Sequence, residues 1–274
     1  MLFFLTTQPL WVSGTILVGL TTVLAMLGPS VVRRYVTLES LATHNDIAGF
    51  KFATIGVLYA VLLAFAIILV WQKFSDAEAS VVQEAGAAAT IYRLSDGLGD
   101  KPAAQIREKL TYYLSATIAD DWPAMDRGTP RASTSSQRAL DAIYKALLTS
   151  DSSPQGNVAV LAEILHQLDV VTQARRARLV AAVGVVPNVI WLVLFGGGVL
   201  TVGFTFFFGT ENWRAQTVMT ALLSILIFSE LLAIVAIDRP FSGPVKVEPN
   251  ALAYVLEDFA PAPSSAPGGG GRGR

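Results

Sequence analysis

Hydrophobic residues gather in four long runs, two before and two after a long polar stretch. The runs cover about 10–32, 52–71, 186–208 and 217–237. Each is long enough to cross a bilayer core of about 30 Å as a helix, and a lipid-exposed backbone has few alternatives. From Phe52 to Trp71 there is no charge; Lys73, Asp76, Glu78 and Glu84 then follow, with no proline and only Gly86 as a glycine before Gly97. This predicts one helix over Gly49–Ser95, about 70 Å long, that leaves the membrane and continues into water. The polar segment Arg33–Lys51 connects the first two spans, and the short Gly209–Gln216 makes spans three and four an antiparallel hairpin.

The insert, 72–178, carries helical periodicity throughout. Phe74, Ala77, Val81, Ala85, Ala88 and Tyr92 recur at steps of three or four, one face of a 3.6-residue period. A break at Gly97–Gly99 precedes a helix with Ile106, Leu110, Tyr113 and Thr117, ended by Asp121-Trp122-Pro123. Leu140, Ile143, Leu147 and Leu148 line a shorter helix that SDSSPQGN (150–157) breaks, and Leu161, Ile164, Leu168 and Val171 line a last one running into span three. No alternating strand pattern occurs. The fold class is all-α: a polytopic membrane protein with four transmembrane helices and a helical soluble insert between helices 2 and 3.

The expected organisation is a first helix pair (1–71), a soluble bundle continuous with helices 2 and 3 (72–178) and a second pair (179–237). A juxtamembrane segment (238–259) with a short helix near Ala251–Phe259 and a low-complexity tail (260–274), expected to be disordered, complete it. The first run lacks a basic flank and an A-x-A site, and is read as a retained span rather than a signal peptide.

Composition narrows the function classes. The chain is 53% hydrophobic and 15% charged, with a mean hydropathy of +0.51, unlike an ordinary soluble domain. A net charge of −1 gives no electrostatic case for nucleic acid. Cysteine is absent and the two histidines are His44 and His166, so neither a metal site nor a cofactor is expected. His44-Asn45-Asp46 has no nucleophile motif nearby, and Walker, G-x-S-x-G and H-E-x-x-H patterns are missing. An enzyme is not expected. Basic residues flank both sides of the spans, so charge alone leaves the orientation open.

Several membrane positions are candidate sites. Gly56, Ala60 and Ala64 form a smooth stripe on span two, suited to close helix packing or to lining a narrow pore. Glu230 is the ionisable residue deep in span four, pointing to a wet cavity, a protonated acid or a structural hydrogen bond. In span three Pro187-Asn188 predicts a kink with a polar contact, and Gly196–Gly198 predicts close packing. Asp238-Arg239-Pro240-Phe241 closes span four, either with Arg239 reaching the headgroups or with a specific Asp–Arg network.

The segment NDIAGF at Asn45–Phe50, the run from Ile55 to Leu94 and the closing DRPFSG at Asp238–Gly243, with Val247 and Pro249 after it, resemble the bestrophin-like family of bacterial membrane proteins. The resemblance extends to about Phe259. It implies a four-helix membrane unit like that of bestrophins, which are oligomeric anion channels whose second helix lines the pore. Carried over, it puts span two at a central axis with Gly56, Ala60 and Ala64 as lining residues, and the insert in the cytoplasm of a bacterium with the spans in its inner membrane.

The expected function is therefore an oligomeric, bestrophin-like ion channel in the lipid bilayer, with a small inorganic ion as its cargo. The alternative is a membrane-anchored sensor or interaction scaffold acting through the insert. A transporter using Glu230 as a proton carrier is a third reading.

Overall fold

The computed structural model describes residues 8–129, 133–149, 157–184 and 186–260, which form helices and no strand. In order these are α1 (Leu10–Tyr35), α2 (Leu38–Thr43), α3 (Asn45–Leu94), α4 (Asp100–Ala116), α5 (Thr134–Thr149), α6 (Asn157–Ala181), α7 (Asn188–Phe204), α8 (Trp213–Ile237) and α9 (Asn250–Asp258). Among the described residues α1, α3, α7 and α8 are long and apolar enough to span a membrane.

The chain divides into two compact units: Met1–Ser80 with Ala124–Arg131 and Arg176–Glu248, and Val81–Pro123 with Ala132–Arg175 and Pro249–Arg274. The first unit contains the four spans. Its inner helix is α8: 44% of its span is buried, against 22% for α1 and for α3. Leu17, Leu63, Leu194, Phe228, Leu231 and Ile234 belong to its core. Hydroxyls join the helices as well, Thr22 donating to Ser224 at 3.3 Å between α1 and α8. Such bonds and close packing hold membrane helices together where apolar burial drives nothing.

The second unit is a helical bundle in which α4 packs on α5 and α9 on α4. Ile91, Ile106, Leu110, Ile143, Leu168 and Val171 are fully buried, on the faces that the periodicity marks.

The single-rod reading of span two holds, since α3 is one α-helix of 50 residues. Span three differs. α6 stops at Ala181, and α7 starts anew at Asn188 with Pro187 as its extended N-cap (φ −59°, ψ 148°). The insert is therefore continuous with span two but not with span three, and the expected kink is a helix boundary. Proline tolerates that place because the first helical turn needs no donor from it.

Three smaller expectations also change. Asp121-Trp122-Pro123 does not end its segment: a π-turn over Thr117–Asp121 leads into a short helix Trp122–Asp126, with Pro123 in its first turn. Leu148 is 73% exposed, while Leu140, Ile143 and Leu147 are buried. The connection from Arg33 to Lys51 is largely helical, with α2 inside it and α3 already begun at Asn45. Of the expected break over 150–157, Asn157 already opens α6; the rest of it and the expected disordered tail beyond Ala260 lie outside the described residues.

Candidate functional site

Span two presents two faces within the first unit. Tyr59, Leu63, Ala66 and Val70 are buried in the core. Gly56, Ala60 and Ala64 are not: Gly56 is partly exposed, the two alanines are exposed, and a Cβ built on Gly56 meets nothing within 4 Å. Inside one chain, then, the small-residue stripe lies on the open side of α3.

The buried face explains how that surface is held. Tyr59 Oη donates to the Leu194 carbonyl at 2.7 Å, tying α3 to α7. Its ring occupies a notch left by two glycines: a Cβ on Gly197 would sit 2.6 Å from Tyr59 Cε2, and one on Gly198 would sit 2.9 Å from Tyr59 Oη. Gly196 has open space instead. Two of the three glycines thus serve close packing as expected, and both serve the tyrosine one residue before Ala60.

Glu230 on α8 is partly buried. The structure brings Tyr59 and the glycine notch together on the side of α3 away from the stripe. Asn188 is elsewhere, exposed at the first turn of α7.

Asp238–Phe241 forms a separate cluster. Asp238 is 5% exposed and Phe241 1% exposed. Asp238 Oδ1 accepts from the Val186 backbone N–H at 2.9 Å, within the break between α6 and α7. A Cβ on Gly184 would lie 3.0 Å from Asp238 Oδ2 and 3.5 Å from Arg239 Nε. The Pro240 carbonyl accepts from Val247 N–H at 2.7 Å. The segment is thus a folded clasp over the break between α6 and α7.

Sequence reasoning missed several polar anchors. Asn45 pairs with the backbone of Gly209 in both directions, its amide donating at 2.6 Å and its carbonyl accepting at 2.9 Å. Gly209 is forced, because a Cβ there would lie 2.5 Å from the Ala42 backbone nitrogen. Arg33 donates to the Thr210 carbonyl and to Gln216 Oε1, at 2.5 and 2.6 Å. In the second unit Asp121 is fully buried and accepts from Ser133 N–H and Ser136 Oγ at 2.8 and 2.9 Å. Arg175, 4% exposed, lies 3.8 Å from Asp121 Oδ2 and donates to Ser136 and Gln137. Glu84, fully buried on the apolar face of α3, accepts from Tyr113 Oη at 2.6 Å. A charged residue falling on an apolar helical face was the available signal for Glu84; the other pairings join positions far apart in sequence. No group of acidic, histidine or cysteine side chains suited to a metal ion occurs among the described residues.

The bestrophin-like domain matches residues 19–252, most of the chain. The chain belongs to the bestrophin-like family. No curated protein matches it. A solved variant of a bacterial bestrophin homolog from Klebsiella pneumoniae superimposes with a TM-score of 0.67 at 13% identity, covering 88% of this chain and 97% of that one. A second variant of that homolog gives 0.69 at 16% identity, covering 89% and 96%, as does a further solved membrane protein. At these identities the likeness shows the bestrophin fold. The motifs of this bestrophin-like chain now have physical roles: Asn45 clamps the loop between α7 and α8, and Asp238–Gly243 closes the break before α7.

Proposed function

We propose that this integral membrane protein assembles with copies of itself into an ion-conducting channel, with α3 of each copy facing the axis and Gly56, Ala60 and Ala64 lining the path. The observation that carries this reading is the unpacked small-residue stripe on a helix whose opposite face is held in the core. A smooth apolar wall suits a narrow conduit that gates by dewetting. Family membership and bestrophin-fold neighbours support it. The reading gives the chain no catalytic role, puts a small inorganic ion in the path, and sets the spans in a bacterial inner membrane with the insert in the cytoplasm.

Purified protein reconstituted in planar bilayers tests it. Unitary currents are expected, and Ala60→Phe or Ala64→Phe should reduce them while leaving the assembled mass and melting temperature near those of the wild type. Silence across common anions and cations, or currents indifferent to both substitutions, would defeat the proposal.

A further inference from the structure

We propose that a groove between α1 and α7 is a binding site for one acyl chain of a membrane phospholipid, with the lipid's polar end at Asn188. Two adjoining cavities make up the groove. The larger, about 590 Å³, is lined by Ile16, Leu17 and Leu20 of α1, by Asn188, Trp191 and Phe195 of α7, and by Phe228 of α8 at its floor. The smaller, about 260 Å³, continues from the shared residues Thr21, Val199 and Phe228 towards Gly203 and Phe206.

Every lining residue lies on a membrane-spanning segment, so the medium meeting the groove is hydrocarbon rather than water. The larger cavity runs along α7 from Asn188 to Val199, about 16 Å at the helical rise. That is close to half of the roughly 30 Å hydrocarbon core, the depth of one leaflet's chains.

Its polarity is one-sided. Asn188, exposed at the first turn of α7, places an amide where an ester or headgroup would lie. The Thr21 hydroxyl is already committed to the Leu17 carbonyl at 2.5 Å. Beyond Val199 the smaller cavity ends at Phe206, whose ring sits against Gly28 and leaves no room there for a Cβ. One polar mouth opening into an apolar channel fits the chain of a single amphiphile.

The wall opposite α7 is also irregular. Over Thr15–Leu20, α1 is π-helical, and these turns carry Ile16, Leu17 and Leu20. Such bulges recur at functional sites. A protein partner would need to push a ridge of side chains into the same space, and the experiment separates that case.

Two measurements on the full chain decide. In phosphatidylcholine vesicles with dibrominated acyl chains, the emission component that Trp191→Phe removes should be quenched in the wild type, although Trp191 is only 4% exposed within the chain. A Trp191 component that bromine leaves unquenched overturns the proposal. In native mass spectrometry from phosphatidylcholine nanodiscs, one phospholipid per subunit should stay bound to the wild type. Filling the groove with Val199→Trp should lower that retention about tenfold, equivalent to about 1.4 kcal/mol. Retention unchanged in the filled variant also overturns it. So does retention lost together with the assembled mass, which would put a second copy of the chain in the groove. Should Val199→Trp fail to fold, the quenching measurement stands without it.

Discussion

Tyr59 reaches from α3 to the carbonyl of Leu194 on α7, a buried 2.7 Å hydrogen bond seated over Gly197 and Gly198. The contact fixes the rotation of α3 about its own axis. Ala60 and Ala64 are turned outward because Tyr59 and Leu63 are turned inward, a consequence of helical geometry. Removing the hydroxyl in Tyr59→Phe should cost about 1–2 kcal/mol of stability, read as a lower melting temperature in detergent.

Gly197→Ala and Gly196→Ala form a paired test of the notch. The first places a methyl 2.6 Å from the tyrosine ring and should destabilise by about 1–3 kcal/mol through overpacking. The second points into open space and should be neutral or stabilising by up to about 1 kcal/mol, since alanine favours the helix. Equal melting temperatures for the two variants would contradict the notch.

Asp238→Ala leaves the Val186 N–H without its buried acceptor and should cost about 1–3 kcal/mol. Asp238→Asn keeps an acceptor and should fall between that variant and the wild type. Faster amide hydrogen exchange at Val186 in the alanine variant is the local readout.

Asp121→Leu strands the buried guanidinium of Arg175, which should cost about 3–5 kcal/mol. The double variant Asp121→Leu with Arg175→Met should recover part of that loss, because both buried charges are then gone. A double-mutant cycle on thermal unfolding measures the coupling.

Glu230→Gln replaces the ionisable group at hydrocarbon depth with a neutral amide of nearly the same shape. A partly buried carboxylate there is costly, so the variant should melt at the wild-type temperature or above it. A clear fall in melting temperature would show that the carboxylate makes a contact the fold needs.

Much of the architecture is legible in the residues themselves. The uncharged run Phe52–Trp71 and its proline-free continuation specify α3, and the buried Ala77, Val81, Ala85 and Ala88 follow the three-and-four spacing. Glu84 stands among them as a charge on an apolar face, but periodicity cannot see its partner Tyr113 arriving from another helix. Pro187 was legible as a disturbance but not as a boundary; the choice depended on Asp238 accepting from Val186 N–H, a pair 52 residues apart. The anchors Asn45–Gly209 and Asp121–Arg175 are long-range in the same way.

By itself the sequence determined the membrane class, the four spans, the helical insert and the family, because hydropathy and period are local properties that every conformation of the chain shares. Only the tertiary structure decided which face of each membrane span is covered. Burial of Tyr59 against Leu194 turns the stripe of Gly56, Ala60 and Ala64 outward, and that depends on three-dimensional fit between distant residues, which no single segment encodes.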